Sequence, residues 1–341
     1  MALHALDDVD DALDVTRTFL GSLDRTAWVK LALVALFIGG PGANVNSFQY
    51  TFGGDGGTGG PAPGVPPGDV FGPNAWLLVA GVVGFFVLLG LAFALVGSVM
   101  EFVFVESLRN ESVTVRRYWG RRWKQGVRLF GFRLLVGFFV FGTVALFAAP
   151  FLLAAAGFEP FTGGVSLAVL LVVLLPLFVV LAVVAGLVNG FTTVFVVPIM
   201  ILDDCGVLAG WRRLWATITR HWVQYLAYAV ASFFLSIVGG ILVAIVTVVF
   251  VVVLLVPFGL LFALGIGLVE FVAEPVGIAV FVLAGLLFGL AVLAVAALVQ
   301  VPVQAYLRYY AMLVLGDVDE TLDLVPTQRA AVRGSPDVVE E

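Results

Sequence analysis

The stretch Arg116-Arg117-Tyr118-Trp119-Gly120-Arg121-Arg122-Trp123-Lys124 sets five positive charges and three aromatic rings between two long apolar blocks. Lys and Arg in short loops stay on the cytoplasmic side of a membrane, and Trp and Tyr settle at headgroup level. The rest of the chain follows the same rule. Arg17, Arg25 and Lys30 precede or open the first apolar block, Arg212, Arg213 and Arg220 lie between the fourth and fifth, and Arg308, Arg329 and Arg333 close the sixth. The intervening gaps 41–74, 157–164 and 258–276 have no Lys or Arg. Alternating gaps of this kind both count the spans and orient them, with both termini cytoplasmic.

The expected fold is an all-α integral membrane protein with six transmembrane helices, at about 26–40, 75–105, 128–156, 165–202, 222–256 and 277–312. Most of the blocks exceed the roughly 18–20 apolar residues needed to cross about 30 Å of hydrocarbon. They are uniformly apolar, unlike the alternating strands of a membrane barrel. The first is short, and Pro41 stops it. Pro257 ends the fifth, Gly239–Gly240 divides it, and 258–271 is a candidate re-entrant helix.

Each odd-numbered span follows an amphipathic segment, giving three cytoplasmic elbow helices and a threefold repeat of elbow plus two spans. Leu6, Val9, Leu13, Leu20 and Leu23 face away from Asp7, Asp10, Asp14 and Arg17 in the first. Val115, Tyr118, Trp119 and Trp123 do so in the second, and Leu208, Trp211, Trp215 and Ile218 in the third. Glu106 and Asp203 stand at matching distances before their basic elbows. The expected organisation is an acidic amphipathic elbow (1–25), a polytopic membrane domain (26–315) with an external Gly/Pro-rich loop (41–74), and an acidic, largely disordered tail (316–341).

Intramembrane charges are costly, at about 2.5–3.5 kcal/mol each on insertion scales, and seek partners. Glu101 and Arg133 are expected to pair between adjacent spans, with a proton or cation site at Glu101 as the alternative. Asn189, Gln300 and Gln304 are candidates for a polar path, or for hydrogen bonds between helices. Arg116, Arg117, Arg121, Arg122, Lys124, Arg212 and Arg213 form a cluster that sets topology or binds anionic lipid headgroups. The acidic first elbow would be repelled by such lipids and is expected to pack on a basic elbow.

No catalytic constellation emerges. His4 and His221 are the only histidines and lack a zinc-protease frame, and Cys205 is the only cysteine. No cofactor, metal or nucleic acid is expected, and no cleavable leader. Acidic ends with only two lysines, Lys30 and Lys124, suit a salt-rich cytoplasm, where screening weakens repulsion among carboxylates.

Val197-Pro198-Ile199-Met200-Ile201-Leu202-Asp203-Asp204, followed by Gly210-Trp211-Arg212-Arg213-Leu214-Trp215, resembles the membrane domain associated with glycerophosphodiester phosphodiesterases. Tyr306-Leu307-Arg308-Tyr309-Tyr310-Ala311 and the Asp-rich N-terminus resemble, more narrowly, a haloarchaeal multi-pass family of unknown function. The resemblance implies a fold and a cell-membrane context but no activity, since hydrolysis in those phosphodiesterases belongs to a separate soluble barrel. The expected role is a non-enzymatic scaffold or accessory module acting on lipids, a membrane partner or a second copy. The alternative is a small-solute transporter or channel.

Overall fold

The computed structural model describes residues 4–39, 75–155, 167–271 and 273–334; the expected loop 41–74 and the residues from 335 onward lie outside them. Every regular element among the described residues is helical. In chain order these are α1 (His4–Ser22), α2 (Arg25–Gly39), α3 (Ala75–Arg109), α4 (Val115–Ala155), α5 (Leu167–Phe191), a π turn (Thr192–Val196), α6 (Val197–Asp203), α7 (Val207–Arg220), α8 (Trp222–Phe271), α9 (Glu274–Val318), a 3-10 turn (Glu320–Leu322) and α10 (Pro326–Arg333). Among the described residues five segments are long and apolar enough to cross a membrane: Ala80–Arg109, Val115–Ala149, Leu175–Asp203, Trp222–Phe271 and Glu274–Val318. At 15 residues α2 is not among them.

Packing is uneven along these helices. The buried core gathers at one end, the basic end, from Val99–Leu108 of α3, Leu129 of α4, Phe195–Ile201, Leu214 and Tyr309–Leu315 of α9. Toward the opposite end the same helices expose apolar side chains, among them Phe85 and Phe86, Phe138 and Phe139, and Val252 and Val253. Large apolar surface of this kind demands an apolar solvent or a partner.

Several expectations need correction. Helix α8 runs unbroken through Gly239–Gly240 and Pro257, so 258–271 is the continuation of a 50-residue helix rather than a separate element. A proline forfeits one hydrogen bond, and neighbouring helices can re-satisfy what it frees. Here α9 flanks α8, and near its start it approaches so closely that a Cβ on Gly277 would lie 2.4 Å from the backbone nitrogen of Val269. The second elbow is not a separate helix either. Residues from Val115 continue into the span as one rod of 41 residues, because no stop signal intervenes. Gly126 within it lets α3 approach, as a Cβ there would lie 2.8 Å from Val99 Cα.

Helix α1 buries Asp8, Ala12, Val15, Thr16 and Phe19, leaving Leu13 exposed and Val9 and Leu20 half-buried. The buried stripe is thus rotated from the one its leucines suggest. Its partners are α9 above all, then α10 and α8, not a basic elbow. Residues 316–334, expected within a disordered tail, instead form the end of α9, the 3-10 turn and α10, and some of their side chains join the core. Leu322, Leu324 and Val325 are buried, and Pro326 starts α10 at a first-turn position, where its missing N–H costs nothing.

Candidate functional site

Three ionic clusters occupy the basic end, and each joins segments far apart in sequence. The first centres on Glu101 of α3, 1% exposed. Arg308 of α9 reaches its Oε2 at 2.5 Å, and Arg133 of α4 lies 3.4 Å from Oε1. Arg133 also donates to Thr193 Oγ1 (2.7 Å) and Ser98 Oγ (3.4 Å). Arg308 donates to the backbone oxygen of Thr193 (2.8 Å), while its Nε is buried with no acceptor among the described residues.

Thr193 can serve both arginines because the helix is interrupted there. Val197 N–H bonds Thr192 O, five residues back, which makes the turn a π turn. The next residue able to reach Thr193 O in that pattern is Pro198, which has no N–H to give. Thr193 O is therefore left for Arg308. Turns of this type recur at functional sites for this reason. The neighbouring Thr192 Oγ1 accepts from Trp211 Nε1 of α7 (2.9 Å), so α7 is fixed to the same turn.

The second cluster pairs Glu106 of α3 with Arg122 of α4, both nearly fully buried, at 2.6 Å. Asn110 donates to the other Glu106 oxygen (2.9 Å). Gln125 donates to Met200 O and Asp204 Oδ1, each at 2.9 Å, and carries the network to the end of α6. Asp204 stands there at φ 49°, a left-handed conformation that a short polar side chain tolerates. Asp203 pairs with Arg213 of α7.

The third cluster clamps the two ends of the chain together. Arg333 of α10 contacts Asp8 (2.5 Å) and Asp11 (2.6 Å) of α1 and Asp317 (2.8 Å) of α9. Arg329 contacts Asp317 (3.2 Å) and Asp323 (3.0 Å). Four carboxyls thus face two guanidiniums. Burial, reinforced by the nearby Asp317 charge, pushes the Asp8 carboxyl up to about 7 despite Arg333 and Arg329. The hydrogen bonds that Arg333 donates to Asp317 and Asp11, with the nearby carboxylate charges, hold its guanidinium above its ordinary value.

The residues singled out from sequence divide clearly. Glu101 and Arg133 meet, but as two members of a triad that includes Arg308, whose position at a block end reads only as a topology signal. In the basic cluster Arg116, Arg117, Arg121, Lys124 and Arg212 are exposed and Arg213 is half-buried, whereas Arg122 is buried in an ion pair and unavailable to lipid. Asn189 is half-buried; its backbone oxygen accepts from Thr193 Oγ1 (2.8 Å), and its Oδ1 has no donor among the described residues. Gln300 packs on Gly39 of α2, where a Cβ would lie 2.2 Å from Oε1, and Gln304 is half-buried on the same helix. Thr193 and Ser98 escaped notice in the sequence; the signal for Thr193 was a proline five residues on. Burial, with Asp203 beside it, pushes the Cys205 thiol up, away from a reactive thiolate.

No curated protein and no solved structure matches the chain, so the resemblance to the phosphodiesterase-associated membrane domain gains no support there. Residues 3–325 match a family of unknown function, DUF7544, and the chain belongs to that family.

Proposed function

We propose that the chain is a six-span cell-membrane protein that serves as a non-enzymatic scaffold or accessory module for lipids or partner proteins. Its basic end and both termini face the cytoplasm. In this reading α2 is the sixth and shortest crossing, about 22 Å of helix at 1.5 Å per residue. Its burial of Leu31, Val34, Ala35 and Ile38 against α3 and α9 suits a helix inside the bundle. The threefold repeat is supported by three helix ends, of α3, α6 and α9, that each carry an acid gripped by an arginine farther along: Glu106–Arg122, Asp203–Arg213 and Asp317–Arg333. A salt-rich archaeal cytoplasm would suit the acid excess of the terminal cluster.

The observation that carries the scaffold reading is where the polar side chains are used. Glu101 is consumed by two arginines and Gln300 packs on Gly39, so these groups stitch separate helix contacts instead of surrounding one cavity. The runner-up, small-solute transport, rests on Asn189 Oδ1, an acceptor to spare one turn from Thr193. Two measurements test the proposal. In a Cys205→Ser background, a cysteine at position 60 should react with a membrane-impermeant maleimide outside the cell, and one at 120 only after permeabilisation; labelling of both from one side refutes the topology. Proteoliposomes loaded with a pH dye should leak no faster than empty vesicles. A protein-dependent proton flux abolished by Glu101→Gln would replace scaffolding with transport.

A further inference from the structure

The Glu101 triad has a charge left over. Arg133 and Arg308 bring two positive charges to one carboxylate, and neither guanidinium uses its full set of donors. Arg308 Nε is buried without an acceptor, and Arg133 Nε makes no hydrogen bond among the described residues. Of the two, Arg133 reaches the protein surface, its side chain 13% exposed against 7% for Arg308. An uncompensated cation at this depth is costly unless an anion joins it.

Helix α4, which carries Arg133, forms an apolar cleft with α5. Thr143, Val144 and Ala148 of α4 and Leu177, Phe178 and Leu181 of α5 line a cavity of about 220 Å³. The cleft and the charge share one seam. The helices run antiparallel, with Arg133 on α4 hydrogen-bonded to Thr193 just past α5. From that contact Thr143 lies ten residues along α4, about 15 Å, and Leu181 twelve residues back along α5, about 18 Å. The cleft therefore begins one short hydrocarbon length from the guanidinium, on the side away from the basic end.

We infer that this seam binds one inner-leaflet phospholipid with an acidic headgroup, its phosphate against the Arg133 guanidinium and one hydrocarbon tail in the α4/α5 cleft. The proposal rests on the membrane-spanning reading of α4 and α5. Charge selects the occupant: a neutral partner helix would leave the surplus uncompensated, while a phosphate oxygen accepts from a guanidinium in a favourable planar geometry. Arg133 sits five residues, about 8 Å, beyond Arg128, the last exposed arginine of the α4 start. A phosphate drawn slightly below the headgroup plane meets it there. This site differs from the exposed arginines near the start of α4, which offer charge without a place for a tail.

The test uses full-length protein, delipidated in dodecyl maltoside and then exposed to phosphatidylglycerol or phosphatidylcholine with identical tails. Bound lipid is counted by native mass spectrometry. Wild type should retain one phosphatidylglycerol, preferred over phosphatidylcholine by about fivefold, the ratio for one basic residue at about 1 kcal/mol. Ala148→Trp, which fills the cleft and leaves every charge in place, should lose the retained lipid. Arg133→Gln should lose the preference and Arg133→Lys keep most of it. Equal retention of the two lipids by wild type, or undiminished retention by Ala148→Trp, overturns the inference; both readouts survive if Arg133→Gln fails to fold. Carbonate extraction of the same protein from membranes separates the outcomes. Release by carbonate defeats the membrane reading, whereas an integral protein without lipid preference defeats only the lipid site.

Discussion

Replacing Glu101 by Gln removes the one negative charge between Arg133 and Arg308 and leaves two buried guanidiniums facing each other. With an effective dielectric of about 20, unit charges 2.5 Å apart attract by about 7 kcal/mol, the separation being that of Arg308 and Glu101. Part of that attraction only offsets the cost of stripping water from the ions. Breaking a buried pair on one side therefore costs about 3–5 kcal/mol in practice. The variant keeps the shape and one acceptor, so the loss reports charge rather than packing. Unfolding in dodecyl maltoside micelles titrated with sodium dodecyl sulfate, followed by tryptophan fluorescence, measures it. Replacing all three residues together with apolar ones of similar volume should recover most of the loss, since a triad exchanged whole leaves no orphaned charge. If Glu101→Gln unfolds within 1 kcal/mol of wild type, the carboxylate does not hold α3, α4 and α9 together and the argument from the triad fails.

The remaining predictions concern the other clusters and the π turn. Asp8 has a folded-state pKa near 7, well above the unfolded carboxyl value of about 4. The neutral form thus favours docking of α1; the contribution is complete below about pH 4 and lost as pH rises through 7. Hydrogen exchange over 4–22, corrected for intrinsic rates, should show weaker protection at pH 8.5 than at 5.5, and Asp8→Asn should flatten the difference; equal protection at both pH values refutes it. Arg122→Ala should destabilise by about 3–5 kcal/mol by stranding Glu106, whereas Arg116→Gln, Arg117→Gln and Arg121→Gln should each stay within about 0.5 kcal/mol. Those three, with Arg122 intact, are the substitutions that test whether the cluster sets topology, read by cysteine accessibility. Pro198→Ala normally favours a helix, but here it supplies the N–H that would compete with Arg308 for Thr193 O. It should destabilise by about 1 kcal/mol in the same micelle titration, and a stabilised variant would refute the account of the turn.

Much of this was legible along the chain, and the failures share a cause. Uniform apolar blocks announce long helices because hydrocarbon leaves the backbone no other way to satisfy itself. Lone charges such as Glu101 and Arg133 announce a contact because they are too costly to leave alone. What a single helix cannot announce is the identity of its partner. Arg308, beside three tyrosines at the end of a block, reads as an interface anchor until α3 and α4 are seen to meet it. The stripe α1 buries depends on α9 and α10, so its leucines mislead and Asp8 disappears into the core. In the tail, acidity outweighed Leu322, Leu324 and Val325, although those three residues were the evidence that it packs.

The bond between Asp8 and Arg333 spans 325 positions of sequence. During synthesis α1 leaves the ribosome long before the residue that fastens it exists, and all of the long apolar helices are made in between. Until α9 arrives with Tyr309, against which Phe19 packs edge-on, α1 must wait with that face uncovered, a ready client for a chaperone or for the membrane surface. The fastening of α1 thereby waits on α10, and a ribosome stalled before that helix would leave the bundle unfastened.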